Sequence, residues 1–111
     1  MSTRAVGVVI ACLAALPSVA TAGTGEPDPA RRQALLHLLR QDCGSCHGMT
    51  LKGGLGLPLL PDTLAGKDEA ALADVIRNGV PGTPMPPWAF SISPDEALWL
   101  ARILKEGLHA D

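Results

Sequence analysis

The run Cys43-Gly44-Ser45-Cys46-His47 sets two thiols three positions apart, with an imidazole directly behind the second. This is the C-x-x-C-H signature for attachment of a c-type haem. Thiols at this spacing reach the two vinyl groups of one porphyrin and bond to it as thioethers. The histidine that follows then lies under the iron and takes one axial position. The expected cofactor is therefore one covalent haem c, held by Cys43 and Cys46 and ligated by His47.

The residues before this run read as a helix. Asp28 is an N-cap and Pro29 stands at the first helical position. The helix is expected to run to about Gln41, with Leu35, Leu36, Leu38 and Leu39 on its apolar side and Arg31, Arg32 and Arg40 on its wet side. Gly23 to Pro27 reads as a short mobile lead-in. Farther upstream, residues 1–22 read as a secretory signal peptide. Arg4 supplies the positive start, Ala5 to Leu16 an uncharged apolar run, and Ala20-Thr21-Ala22 a small-x-small site with cleavage after Ala22. That apolar run is shorter than the roughly 18 residues that span a bilayer. Two other readings remain open, an uncleaved anchor and lipidation at Cys12, which sits in a loose lipoprotein box. On the signal-peptide reading, residues 23–111 form a single soluble domain in the periplasm, expected to be a monomer.

With Cys12 removed, Cys43 and Cys46 are the only thiols. A domain this short buries little core of its own, and the porphyrin would serve as its staple. The formal net charge is −2, and no basic run interleaves with aromatics, so the chain carries no signature of nucleic-acid binding.

Downstream of His47, Met49 to Pro61 carries three glycines and two prolines and reads as a loop, with Gly53, Gly54 and Gly56 allowing backbone to approach a flat ligand. Pro61 to Ala65 is expected to form one short helical turn. A second helix is expected over Asp68 to Asn78, with Leu72, Val75 and Ile76 at helical spacing and Gly79 ending it. Four prolines between Val80 and Phe90 forbid a regular element there. Ser93-Pro94-Asp95-Glu96 is a capping box opening a last helix to about Glu106, whose core side is expected to be Leu98, Trp99, Ile103 and Leu104. No stretch alternates with period two long enough for a sheet, so the fold class is all-α.

The second axial position decides the function. Met85, in Gly82-Thr83-Pro84-Met85-Pro86-Pro87-Trp88, stands between prolines that restrict its backbone, and it is far enough from His47 for the chain to wrap a porphyrin. Met49 follows His47 too closely to cross the ring and is expected to pack beside it. His37 reads as an ordinary helix histidine and His109 as a solvated one. Ligation by His47 and Met85 favours reduced iron and leaves no open site. One-electron transfer follows, with no catalytic side chain and no enzyme activity. Trp88 is expected at the haem, donating its indole N–H to a propionate or covering the Met85 loop. Trp99 reads as core. Lys52, Lys67 and Arg77 are candidates for a docking face.

Other classes fit less well. Zinc at Cys43, Cys46 and His47 lacks a second ligand pair at finger spacing. A thiol–disulfide oxidoreductase needs strands. The principal alternative is a haem-based gas sensor or small haem enzyme with a labile distal methionine, although no distal arginine–histidine pair is evident.

With Cys43-Gly-Ser-Cys46-His47-Gly, Met85-Pro and three principal helices, the chain resembles class I cytochromes c. The stretches Cys43 to Gly56 and Pro81 to Trp88 together are similar to the cytochrome c55X, or NirC-type, family. Members are small periplasmic cytochromes encoded with cytochrome cd1 nitrite reductase. The resemblance implies denitrification, with electron donation to the nitrite reductase or redox partnership in haem d1 maturation. It also implies Cys43 and Cys46 as haem attachments, His47 as proximal ligand and Met85 as distal ligand.

Overall fold

The computed structural model describes residues 2, 5–17 and 25–108. Arg4, the Ala20 to Ala22 cleavage site and His109 lie outside the described residues. Residues 5–17 have no helix or strand, and no described helix is long and apolar enough to cross a membrane.

Five α-helices follow: α1 (Pro29–Leu38), α2 (Gly44–His47), α3 (Pro61–Leu64), α4 (Glu69–Asn78) and α5 (Pro94–Glu106), and the described residues contain no strand. The all-α expectation holds. Each long helix begins where its side chains supply the missing partners for the first backbone N–H groups. Asp28 accepts from the Arg31 amide at 3.0 Å, and Asp68 from the Ala71 amide at 3.0 Å. Ser93 and Glu96 form the complete capping box of α5. Glycines at positive φ end α4 at Gly79 and α5 at Gly107.

The first helix does not stop near Gln41. A π-helical segment, Leu39–Cys43, joins α1 directly to α2, so the chain stays helical through His47. Gly44 is in the helical region, its N–H donating to the Leu39 carbonyl, and the helix ends only at Gly48, where φ is +91°. The wider π winding takes an extra residue per turn. Cys43, at its end, packs against the cluster that holds Leu35 and Leu39.

Leu35 and Leu39 join Leu64, Ile92, Ala97, Leu100 and Leu104 in one buried cluster with Trp99. The buried stripe of α5 is Ala97, Leu100, Ala101 and Leu104, at helical spacing, with Trp99 beside it. Leu98, expected in the core, is 40% exposed, because it lies one residue off that stripe. The alanines were overlooked because their size hides them, yet they let α5 come close to its neighbours.

Polar contacts tie the ends of the chain together. Arg31 on α1 donates to Glu96 on α5 through Nε (2.7 Å) and through a terminal nitrogen (3.0 Å), and that nitrogen also donates to the Ser91 carbonyl at 2.6 Å. Arg31 is therefore not simply on a wet side. Nor is the lead-in loose from Glu26 onward. Pro27 is buried, and Glu26 accepts from Arg32 at 2.8 Å and from Arg102 at 2.7 Å.

The Arg31 guanidinium holds the Glu96 carboxyl at about 2, against 4.5 for a free glutamate, with the Ser93 amide helping. A lowered folded-state pKa adds stability that is complete above the unfolded value and disappears as pH falls toward the folded one. Glu96→Gln should therefore cost about 2 kcal/mol at neutral pH. The gap to wild type should close between pH 4.5 and about 2 in acid-unfolding curves of the haem-loaded protein. A gap that stays constant over that range would assign the loss to something other than this ion pair.

Candidate functional site

A cavity of about 810 Å³ opens between α2, α4, α5 and the two irregular connections. That volume lies within the range of about 300–1,000 Å³ typical of cofactor and ligand sites. Cys43, Cys46, His47, Met85 and Trp88, the residues singled out in the sequence, all line it. The core supplies part of the wall through Leu39, Leu64, Leu100 and Leu104. From α4, Leu72, Val75 and Ile76 line it as well, which accounts for Val75 being 42% exposed on a helix whose one fully buried residue is Ala73.

His47 sits at the end of α2, and its ring is fixed by backbone. Nδ1 lies 2.7 Å from the Leu57 carbonyl. A carbonyl can only accept, so Nδ1 carries the proton and donates. The lone pair is then on Nε2, the tautomer a metal needs. The loop holding Leu57 is tied back to α2, with the Gly53 amide donating to the His47 carbonyl and the Gly56 amide to the Cys46 carbonyl, both at 2.8 Å. Gly56 matters for space: a Cβ there would stand 2.7 Å from both Cε1 and Nδ1 of the ring. The sequence reading gave this loop's glycines to a flat ligand. At Gly56 the close neighbour is instead the imidazole.

Both thiols are free and half-buried. Burial pushes the Cys43 thiol up to about 11, and the Asp42 carboxylate adds to the rise. Cys43 is thus a neutral thiol in an apolar wall. Among the described residues no group of three His, Cys, Asp or Glu gathers as a metal cage.

Met85 comes from the proline-rich connection after α4. Its amide accepts help from one side chain, donating to the Thr83 hydroxyl at 3.3 Å, and its carbonyl accepts from the Val80 amide at 3.1 Å. The strand of chain from Met85 to Pro87 lies against Gly79, where a Cβ would come within 2.6 Å of the Met85 carbonyl oxygen. Trp88 is half-buried in the cavity wall, its amide donating to the Ile76 carbonyl at 3.1 Å, and its ring stacks on Phe90 with centroids 5.6 Å apart.

Other candidates lie elsewhere. Met49, expected beside the haem, is 61% exposed and borders a separate shallow depression with Arg40 and Leu108. The turn at Gly48 carries it away from the cavity. His37 is exposed and does not line the cavity. Lys67 borders the cavity, Lys52 does not, and Arg77 donates through Nε to the Ile92 carbonyl at 3.2 Å. These three cations make no common face that the structure singles out. Leu57 was missed in the sequence. Only the Leu55-Gly56-Leu57 pattern carried a signal, a glycine between two apolar residues in an otherwise irregular run.

The residues present fit a haem of the c type. Two thiols, an imidazole with its Nε2 lone pair free and a thioether share one apolar cavity, which is the donor set such a group needs. The family described as cytochrome C oxidase, cbb3-type, subunit III matches residues 30–102. Cytochrome c55X of Paracoccus denitrificans (strain Pd 1222) is 52% identical over 84 residues, which cover 76% of this chain and 82% of that protein. Cytochrome c55X of Pseudomonas aeruginosa is 53% identical over 81 residues, covering 73% and 68%. Among solved structures, a c-type cytochrome NirC superposes with a TM-score of 0.72 at 53% identity, over 73% of this chain and 95% of that one. Dihydro-heme d1 dehydrogenase NirN in complex with DHE matches with a TM-score of 0.60 at 33% identity, over 68% of this chain and 16% of that one.

Gly56→Ala should push the imidazole off the Leu57 carbonyl and lower stability by roughly 1–3 kcal/mol. Thermal unfolding of the haem-loaded variant reads this directly. An unchanged melting temperature would mean that the ring is not held where the structure places it.

Proposed function

The chain belongs to the cytochrome c55X family of class I cytochromes c, and on that footing we propose that it is an exported, periplasmic monohaem electron carrier. The observation that carries the proposal is the gathering of Cys43, Cys46, His47 and Met85 in one apolar cavity. Cys43 and Cys46 would hold the haem covalently, and His47 Nε2 and Met85 Sδ would ligate its iron. When bound, haem c supplies one-electron exchange between ferric and ferrous iron.

The protein's own contribution is to hold and to exclude. The Leu57 carbonyl keeps the imidazole in one orientation and makes it a stronger donor. The prolines flanking Met85 limit how far the thioether can wander. Leu39, Leu64, Leu100 and Leu104 keep water from the buried side of the site. With His47 and Met85 both ligating the iron there would be no place on it for a substrate, so the proposed activity is electron transfer rather than enzyme chemistry.

The partners fall within the nitrite reductase system. Membership of the c55X family supports donation to cytochrome cd1 nitrite reductase. The likeness to a segment of a dihydro-haem d1 dehydrogenase supports service in haem d1 maturation. Export rests on residues 1–22 acting as a cleaved leader, and a mature protein whose mass begins at Gly23 is the expected product.

The deciding measurement is the visible spectrum of protein made in a host with c-type maturation machinery. The expected result is sharp reduced bands together with a far-red methionine-to-iron band in the oxidised form. Met85→Ala should abolish that band, lower the potential and admit carbon monoxide. Cys46→Ala should leave no stable covalent haem. A Met85→Ala protein with unchanged potential would remove Met85 from the iron, and carbon monoxide binding by the wild type would favour the sensor or enzyme reading.

A further inference from the structure

We propose that the Lys67 ammonium pairs with a haem propionate and, by placing a positive charge at the edge of the cofactor, raises its reduction potential. The inference rests on the haem and carrier reading above and deepens it, since it gives the charged edge of the cofactor a partner.

Haem c brings two carboxylates with it, and a carboxylate that enters an apolar site needs hydrogen-bond donors or a cation. The cavity offers few. Much of its wall is aliphatic, from Leu39, Leu59, Leu64, Leu72, Val75 and Leu100. The hydroxyls that line it have already spent their protons, Ser45 on the Asp42 carbonyl and Thr83 on the Val80 carbonyl, each at 2.7 Å. The His47 Nδ1 proton goes to the Leu57 carbonyl, and attachment consumes both thiols. Among the described residues, the side-chain donors left at the cavity are the Trp88 indole N–H and the Lys67 ammonium, and Lys67 is the only lysine or arginine in the lining.

Lys67 stands where α3 gives way to α4, and its backbone is fixed on both sides. Its amide donates to the Leu64 carbonyl at 2.9 Å, and its carbonyl accepts from Lys105 Nζ on α5 at 2.6 Å. The residue borders the cavity and is exposed, and its ammonium makes no ion pair among the described residues. The flexible four-carbon stem lets that charge reach over the cavity mouth. Two carboxylates also border the cavity, and each is engaged elsewhere. Asp68 accepts from the Ala71 amide as the cap of α4. Asp42 lies beside Cys43, whose thiol it helps to push up. Thioether bonds and propionates occupy opposite halves of the porphyrin of haem c, so Asp42 stands with the half that bears no carboxylate.

Two consequences follow from a cation at that edge. A positive charge near the iron disfavours the ferric state, which carries one more positive charge than the ferrous, so Lys67 raises the potential. An ammonium beside a propionate also lowers the pKa of that propionate. A deprotonated propionate favours ferric iron, so the potential falls as pH rises through the propionate pKa. With Lys67 in place, this fall is displaced to lower pH.

The test is a potentiometric titration of the haem-loaded protein alone, repeated from acid to neutral pH, so no redox partner enters. Lys67→Gln should keep the wild-type visible spectrum, lower the potential at neutral pH and move its pH-dependent fall up by about one pH unit. Lys67→Arg should restore both. Lys52→Gln removes the same charge at a residue that does not line the cavity, and it should leave both unchanged. A Lys67→Gln protein with the wild-type potential and pH profile would overturn the inference and leave the carrier reading standing. If that variant nevertheless reacted more slowly with purified cytochrome cd1 nitrite reductase, Lys67 would belong to a docking face instead. An equal shift in Lys52→Gln would also overturn the inference, because net charge alone would then account for the change. Wild-type protein that carries no covalent haem would overturn the carrier reading and this inference with it.

Discussion

The hydrogen bond from His47 Nδ1 to the Leu57 carbonyl is the contact from which the site is built. It sets the tautomer, and through the tautomer it makes Nε2 a donor toward the cavity. To form it, the chain after α2 must turn back and lay its backbone against the imidazole. That return is why the segment is rich in glycine, why its amides donate to the Cys46 and His47 carbonyls, and why no side chain is tolerated at Gly56. The loop is thus a backbone clamp on the His47 imidazole, and its irregularity follows from the distance it must hold.

A second constraint is that the core and the cavity share their walls. Leu39, Leu64, Leu100 and Leu104 belong both to the buried cluster and to the cavity lining. A domain of this size has little apolar area beyond that cluster. A flat apolar cofactor seated there would complete the core, so cofactor binding and folding are coupled by construction. The Arg31–Glu96 pair supports the same arrangement from outside. Glu96 closes the capping box of α5 and receives α1 through Arg31, so one carboxylate both starts a helix and positions its neighbour.

What could be read in the sequence was mainly local. The caps at Asp28 and Ser93, the start of a helix at about Asp68, the glycine stops at Gly79 and Gly107 and the absence of regular structure between Val80 and Phe90 each depend on a few adjacent residues, and the structure shows them, with Asp68 as the cap rather than the first helical residue. Four of the five candidate site residues stood out because C-x-x-C-H and Met-Pro have few other uses, and the structure places all five in one cavity. What escaped depends on residues distant in sequence. The π segment is invisible to a pattern count, since Leu39 to Cys43 contains no breaker. Leu98 was misjudged because the close approach of α5 is set by Ala97 and Ala101, whose importance lies in their small size. Met49 was misjudged because the turn at Gly48 sends it away from the cavity. Glu26 looked like part of a loose lead-in because its partners, Arg32 and Arg102, are six and 76 residues away.

The Met85 segment shows how a chain can be rigid without being regular. Three of the residues next to Met85 are prolines, which cannot donate, so a helix or strand is unavailable and few hydrogen bonds remain to be made. The segment meets this by leaning on the end of α4. The Trp88 and Ala89 amides take the Ile76 and Arg77 carbonyls, which the helix leaves without partners at its C-terminus, and the Met85 carbonyl takes the Val80 amide. Gly79 both ends α4 and provides the space into which the Met85–Pro87 backbone fits. One helix terminus therefore solves two problems, since its orphan carbonyls are satisfied and the loop gains its anchors. For an electron carrier this has a direct consequence. In the proposed role, a thioether held by backbone geometry at a helix end would have little room to move when the charge on the iron it ligates changes, and little movement would mean little reorganisation at each transfer.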